Sequence, residues 1–407
     1  MGEHTRVVLE KIEEIANSEF IKDDDPSQFV ETLKNPQLMW SFSKRLLAFY
    51  NDVLNSQFTA DEAAENFRIR AKQKDIALDK DTISRNTIKN WFLGEAPPRH
   101  DNESRRRMFV VAFVLGLNKV QTERLFHKVY FDTPFIVRDP RESIYLYCIN
   151  NGKAFSDAER LIGQLPLTDE TGTPDEHTVQ TQFLADDIDT FTDERELLNL
   201  IKTHPHNFHL RNIAAKQKRQ DLLDKLTGRE DKEDGLAKQE AVFRYNKERL
   251  TEIFKNYSMH SVSFVLDIIK EKNYAGEKGN EETQHLHKVF TQPELCVLFP
   301  NEKTLANKNP STYALRRDII FLYFYFFWVK ALLTKKNFAG EGYKIFWAEI
   351  DDVLYSCGLS PLYIKNPYDC LFLYCSYHYD DVGFTPLEVF RCIMAPDDSH
   401  EDERGTW

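Results

Sequence analysis

Apolar residues recur at helical spacing along most of the chain, and short polar, turn-forming runs separate these patterns. In the segment PQLMWSFSKRLLAFYNDVLNS the apolar positions of one helical face are Leu38, Phe42, Leu46 and Phe49. Residues 57–130 carry a dense series of short helical patterns, and Thr59 precedes two acidic residues, as at a helix start. We therefore expect an all-α fold, in which an N-terminal helical module is joined to a larger helical C-terminal region.

Changes in composition divide the chain into five segments. Polar, turn-forming residues follow position 165, and from Phe290 to Met394 aromatic residues predict a helical domain with a large aromatic core. The predicted segments are 1–56, the N-terminal helices; 57–165, the module that carries the functional motif; 166–285, a charged helical middle region; 286–396, the aromatic-rich C-terminal domain; and 397–407, an acidic tail.

Residues 82–94, TISRNTIKNWFLG, form the strongest functional motif. Ser84 is a suitable N-cap with Thr87 three residues on, and Gly94 followed by prolines is a suitable helix end. The apolar positions share one face and leave polar side chains on the other. They are Ile83, Ile88 and Trp91 on the first face, and Arg85, Asn86, Lys89 and Asn90 on the second.

The polar face of this helix has the chemistry of DNA readout. Arginine reads guanine, asparagine reads adenine, and lysine or a helix N-terminus holds phosphate. The major groove admits one such helix with its N-terminal residues against the bases. The predicted DNA-binding residues are Ser84, Arg85, Asn86, Thr87, Lys89, Asn90, Arg99, Arg105, Arg106 and Arg107, the last three as phosphate contacts from the next helix.

This motif resembles the recognition helix of the Xre or lambda-repressor-like helix-turn-helix family. The resemblance covers residues 83–94, where that family commonly has Ser-x-x-Thr-Ile-x-x-Trp-x-x-Gly, and extends more loosely to Phe126. Upstream, TADEAAENFRIRAKQKDIALDKDT is longer than the family's preceding helix and turn, so either the helix is extended or the turn carries an insertion. The resemblance implies a DNA-binding module.

The chain also resembles, over longer stretches, helix-turn-helix-bearing proteins common in Firmicutes genomes. The segments that carry this resemblance are LFHKVYFDTPFIVRDPRESIYLYCINN and EIDDVLYSCGLSPLYIKNPYDCLFLYC. It implies a helical protein and no particular activity.

Net charge limits where nucleic acid could bind. The formal charge of −12 argues against a protein that coats nucleic acid with its whole surface. Residues 66–107, however, hold eleven lysines and arginines against six aspartates and glutamates. A basic segment in an acidic chain is the electrostatic pattern expected of one nucleic-acid module.

Other kinds of chemistry lack their usual patterns. The six cysteines form no CxxC pair, which favours free thiols in a reducing cytosol, and the longest apolar run, residues 319–329, is too short to span a bilayer. The histidines of HPHNFH, residues 204–209, have no nearby partners with metal-ligand spacing, and no phosphate loop or hydrolase elbow occurs. We expect no metal, no cofactor, no membrane partner and no enzymatic activity.

The sequence therefore predicts a cytoplasmic, sequence-specific double-stranded DNA-binding protein, either a transcriptional regulator or a factor linked to a mobile element. We expect a homo-oligomer, most simply a dimer, formed through the C-terminal region, because residues 313–375 offer more apolar surface than a small core needs. The alternative is a helical interaction or scaffold protein, in phage defence for example, whose helix-turn-helix does not read DNA. A third hypothesis is an enzyme whose active site has no recognisable motif.

Overall fold

The computed structural model describes residues 41–165, 181–204, 212–227, 310–333 and 342–377, with shorter pieces at 208, 300, 302–305, 307, 338, 386, 387, 389 and 390. These residues are predominantly helical, and no strand occurs among them. The predicted all-α fold is confirmed. No helix within these ranges is both long enough and apolar enough to cross a membrane.

The first group of helices lies between residues 41 and 204. Its members are α1 (Phe42–Leu54), α2 (Ala60–Gln73), α3 (Arg85–Leu93), α4 (Asn102–Leu115), α5 (Lys119–Arg124), α6 (Pro140–Asn150), α7 (Phe155–Ile162), α8 (Thr181–Thr190) and α9 (Glu194–Thr203). A π-helical turn, Leu125–Tyr130, continues α5. Local sequence sets many of the helix ends, as at α2, where Thr59 and Glu62 form a capping box.

One hydrophobic core joins these helices. α4 runs through it, since every residue from Met108 to Leu115 is buried. The same core contains Leu46 of α1, Leu184 of α8 and Leu197 of α9. The predicted segment limits at 56 and 165 therefore do not coincide with limits of this core, which takes in described residues on both sides of each.

A second core is built around α12. The helices that form it are α10 (Ile213–Thr227), α11 (Glu302–Leu305), α12 (Thr312–Leu333), α13 (Gly342–Ser356) and α14 (Pro367–Tyr377). α12 packs against α10, α13 and α14. The aromatic rings that the sequence placed here fill this core: Phe321, Phe324, Phe327, Trp328, Phe346 and Phe372 are all buried.

This packing removes the basis of the predicted dimer surface. Among the described residues of 313–375, Tyr355 is the large apolar side chain left exposed, at 56%. The aromatic residues fill the core of the single chain rather than forming an apolar patch for a second copy. The dimer stays a prediction, but the described residues of 313–375 do not form the apolar surface on which that prediction was based.

The two cores meet at a junction of aromatic and polar side chains. The ring of His100 stacks on Tyr313 at the start of α12, with centroids 3.5 Å apart, and on Tyr130 of the first core, at 4.7 Å. Nearby, Ser360 N donates to the Thr133 hydroxyl at 3.2 Å. Burial lowers the pKa of His100 to about 4, so this imidazole is neutral near pH 7.

Candidate nucleic-acid interface

α3 begins and ends where the motif predicts. Ser84 Oγ accepts a hydrogen bond from Thr87 N at 3.1 Å, and Gly94 adopts the left-handed conformation with φ of 80°. A Cβ added at Gly94 would lie 2.9 Å from Ser43 Oγ on α1. The left-handed backbone therefore favours glycine here, and a larger residue would also require the Ser43 hydroxyl to rotate away.

The apolar face of α3 is anchored in the first core. Ile83, Ile88 and Trp91 are buried, as the pattern predicted. Phe92 is buried as well and meets Tyr50 of α1 edge to face, with centroids 5.2 Å apart. The spacing of the motif does not single out Phe92, although its position directly after Trp91 widens the apolar face toward α1.

Three polar residues of α3 face solvent. The side chains of Arg85, Asn86 and Lys89 are exposed, and none of them forms a hydrogen bond or ion pair with another residue in the described ranges. The carboxylate of Glu65 on α2 lies close by: a hydrogen bond from Arg68 and, to a smaller extent, the charge of Arg85 lower the pKa of Glu65. An acidic group thus borders the start of the exposed face.

Three further predicted contacts are used by α3 itself. Ser84 Oγ and Thr87 Oγ1 lie 2.8 Å apart and bond to each other at the cap. In the amide orientation that satisfies its hydrogen bonds, Asn90 donates to the Asn86 carbonyl and to the Glu95 carboxylate, both at 3.1 Å. These side chains shape the helix, which leaves a smaller set of free donors than the sequence predicted.

The prediction that Arg105 contacts phosphate is wrong. Arg105 is only 5% exposed. Its Nη1 lies 2.8 Å from Asp132 Oδ2, and its Nε and Nη2 donate to the carboxylate of Glu142 at 2.9 and 2.8 Å. A guanidinium enclosed by carboxylates inside the core cannot reach a phosphate on the surface.

The neighbouring arginines have partners of their own. Arg106 is 31% exposed on its side chain and pairs with Glu159 of α7 at 2.8 Å. Arg107 pairs with Glu103 one helical turn earlier. Arg99 lies in the loop before α4 and is exposed. Arg105, Arg106 and Arg107, three of the eleven basic residues counted in residues 66–107, thus pair with acidic side chains of the protein.

A long connection separates α2 from α3. α2 ends at Gln73 and α3 starts at Arg85, so residues 74–84 lie between the two helices. α2 and α1 are the helices that pack most closely on α3. The predicted recognition helix, α3, is therefore held by α1 and α2 and is preceded by a long turn.

The histidine cluster is only partly described. His204 directly follows α9, at its C-cap. His206 and His209 lie outside the described residues, as do residues 1–40 and the acidic tail.

Comparison with known proteins adds no family to this geometry. No protein-family model, curated protein or solved structure matches the chain. The α2–α3 pair and the residues exposed there are therefore the features of this molecule that bear on its function.

Proposed function

We propose that this protein binds double-stranded DNA in a sequence-specific manner, with α3 in the major groove. The observation that carries the proposal is the exposed face of α3. The side chains of Arg85, Asn86 and Lys89 form no hydrogen bond or ion pair there within the described ranges, and they stand on a capped helix whose opposite face is buried. Base readout needs this combination, because donors and acceptors must be free while the backbone that holds them is fixed.

The charge available for phosphate contacts is small. With Arg105 enclosed and Arg106 and Arg107 paired, the exposed cations of residues 80–99 that have no ion-pair partner in the described ranges are Lys80, Arg85, Lys89 and Arg99. Each phosphate neutralised changes the slope of log affinity against log salt by about −0.9, so contacts from these four in a single copy should give a slope of roughly −3 to −4. This is weaker electrostatic binding than the sequence count of basic residues implies.

The resemblance to the Xre or lambda-repressor-like helix-turn-helix family supports the same function. It rests on residues 83–94 and favours a transcriptional regulator or a factor linked to a mobile element. One reading helix contacts few base pairs, and two copies placed about one DNA turn apart would recover specificity. Self-association is thus a separate prediction, to be measured by sedimentation of the full chain with and without duplex.

A defined experiment tests the proposal. The full chain is used to select sites from a random duplex library, and affinity for the selected site is measured against salt. Arg85→Ala and Asn86→Ala should each weaken this affinity by about 10- to 100-fold. Arg195→Ala is the matched control, since it removes an exposed arginine from the first turn of α9. No enrichment, or equal affinities for all proteins at low salt, refutes the proposal.

A protein-binding role is the second candidate, and one observation favours it. Ile69 on α2 and Leu93 on α3 are exposed apolar side chains, at 44% and 36%. A protein partner would bury such groups more favourably than a DNA groove would. If Ile69→Ser and Leu93→Ser abolish binding to a captured partner while the DNA variants have no effect, this scaffold function replaces the first proposal.

A further inference from the structure

Arg106 joins three parts of the first core. It is carried by α4, its Nη2 donates to Glu159 Oε2 of α7 at 2.8 Å, and its Nη1 donates to the carbonyl of Asp81 in the α2–α3 connection. Glu159 is held in turn by the hydroxyl of Tyr145 on α6, at 3.0 Å. Both terminal nitrogens of the guanidinium are therefore engaged within the protein.

The connection that Arg106 contacts is an exposed turn between two anchors. Ile76 and Ile83 are buried and fix its ends. Between them Asp79 Oδ1 accepts hydrogen bonds from the backbone nitrogens of Asp81 and Thr82 at 2.9 and 3.0 Å, which winds the chain into a tight turn. Within the described part of the chain, the bond from Arg106 is the hydrogen bond that joins this turn to a helix outside the α2–α3 pair.

The hydrogen bond from Arg106 to the Asp81 carbonyl lies close to the start of α3. Asp81 precedes the cap residue Ser84 by three positions, and Arg85 and Asn86 follow the cap immediately. Movement of the Asp81 carbonyl would therefore shift the N-terminal end of α3, where the proposed base-reading residues stand. A shift of about 1 Å is enough to impair a preorganised site.

We infer that Arg106 is a positioning residue, which fixes the start of α3 through the Asp81 carbonyl and does not contact phosphate. The expected effect on DNA readout rests on the proposed DNA-binding function, but the hydrogen bond from Arg106 to the Asp81 carbonyl exists without DNA. A phosphate that approached Arg106 would compete with Asp81 and Glu159, which already accept hydrogen bonds from both terminal nitrogens of the guanidinium.

Amide hydrogen exchange tests directly whether the hydrogen bond from Arg106 holds the α2–α3 connection. In the full chain without DNA, Arg106→Ala should raise amide exchange in residues 77–90 by about tenfold or more, the opening expected when a hydrogen bond from a charged group is lost. Exchange in α1 and α9 should stay within twofold of the parent. Arg107→Ala is the matched control, because this neighbour on α4 pairs with Glu103 and makes no bond to the connection.

DNA binding tests the consequence. Arg106→Ala should lower the ratio of specific to non-specific affinity by about tenfold and leave the salt slope of non-specific binding unchanged, whereas loss of a phosphate contact reduces that slope by about one. Glu159→Gln keeps the arginine and weakens its anchor, so it should reproduce the exchange result in part. It also serves as the second variant if Arg106→Ala does not fold.

The outcomes separate the two claims. A salt slope reduced by one in Arg106→Ala, or unchanged exchange in residues 77–90, overturns the positioning role. Absence of duplex binding by the parent protein overturns the proposed function, and the exchange measurement then decides alone whether Arg106 holds the start of α3.

Discussion

The indole of Trp91 meets the ring of Phe42 edge to face, with ring centroids 5.6 Å apart and ring planes at 80°. This contact joins α3 to α1 from the side opposite the exposed polar face. Trp91 is 3% exposed, so the indole lies almost wholly inside the first core. The orientation of the proposed reading helix thus depends on an aromatic pair as well as on its caps.

Trp91→Ala should destabilise the first core by about 3–5 kcal/mol, because it removes a large buried ring and leaves a cavity. Urea unfolding followed by circular dichroism measures this change. Leu93→Ala on the same helix is the control and should stay within about 0.5 kcal/mol, since that side chain is exposed. Equal effects of the two variants would show that α3 is not anchored through Trp91.

Gly94→Ala should cost about 1–3 kcal/mol for the left-handed backbone, with only a small further cost, because the Ser43 hydroxyl 2.9 Å from the new Cβ can rotate. Gly152→Ala isolates the backbone part, because Gly152 has φ of 61° and nothing within 4 Å of an added Cβ. Thermal unfolding of both variants gives the difference. If the two costs are equal, the close approach of α1 to Gly94 makes no contribution.

Glu65→Gln should strengthen DNA binding by about two- to fivefold at low salt, with the gain disappearing as salt screens the charge. Glu65 borders Arg85 and holds Arg68, so its removal takes a negative charge from the proposed interface and frees a cation. Titration of duplex by fluorescence anisotropy measures the gain. Glu196→Gln, an exposed carboxylate on α9, should leave the affinity as it is.

His100→Phe should change how stability depends on pH. The pKa of His100 falls from 6.5 unfolded to about 4 folded, so the unfolded chain binds this proton first and folding stability is lost as pH falls from 6.5 toward 4. From pH 7.5 to pH 5, His100 should lower the free energy of unfolding of the parent by about 2 kcal/mol. The phenylalanine variant keeps a ring on Tyr313 but lacks this titration, so it should not show that loss. Denaturant unfolding at the two pH values, read as a difference between the proteins, checks this. Parallel pH profiles would contradict the burial of His100 at the junction.

Features that depend on residues close together in the chain are those that the sequence predicts. The caps of α3 and its buried face depend on residues a few positions apart, so Ser84, Gly94 and Trp91 could be placed from spacing alone. The burial of Arg105 depends on Asp132 and Glu142, which lie far along the chain. One signal was nevertheless present, since Arg105 stands at helical spacing from the buried residues that follow it on α4.

The first core extends past the predicted segment limit at 165 for a similar reason. Turn-forming composition identifies a loop, but it does not tell which core the next helix joins. Leu184 and Leu197 return to the first core, while Leu222, from the same predicted segment, belongs to the second. Such long-range packing leaves no trace in the local composition.

The central claim is that α3 reads base edges through Arg85 and Asn86, and the most direct measurement is the base preference of single variants. Affinities of the parent and of Arg85→Ala are measured for the selected duplex and for duplexes changed at each base pair in turn. The account predicts that the variant loses discrimination, worth about 1–3 kcal/mol, at one guanine-containing position and keeps it elsewhere. A variant with the parent's base preference at every position would contradict it.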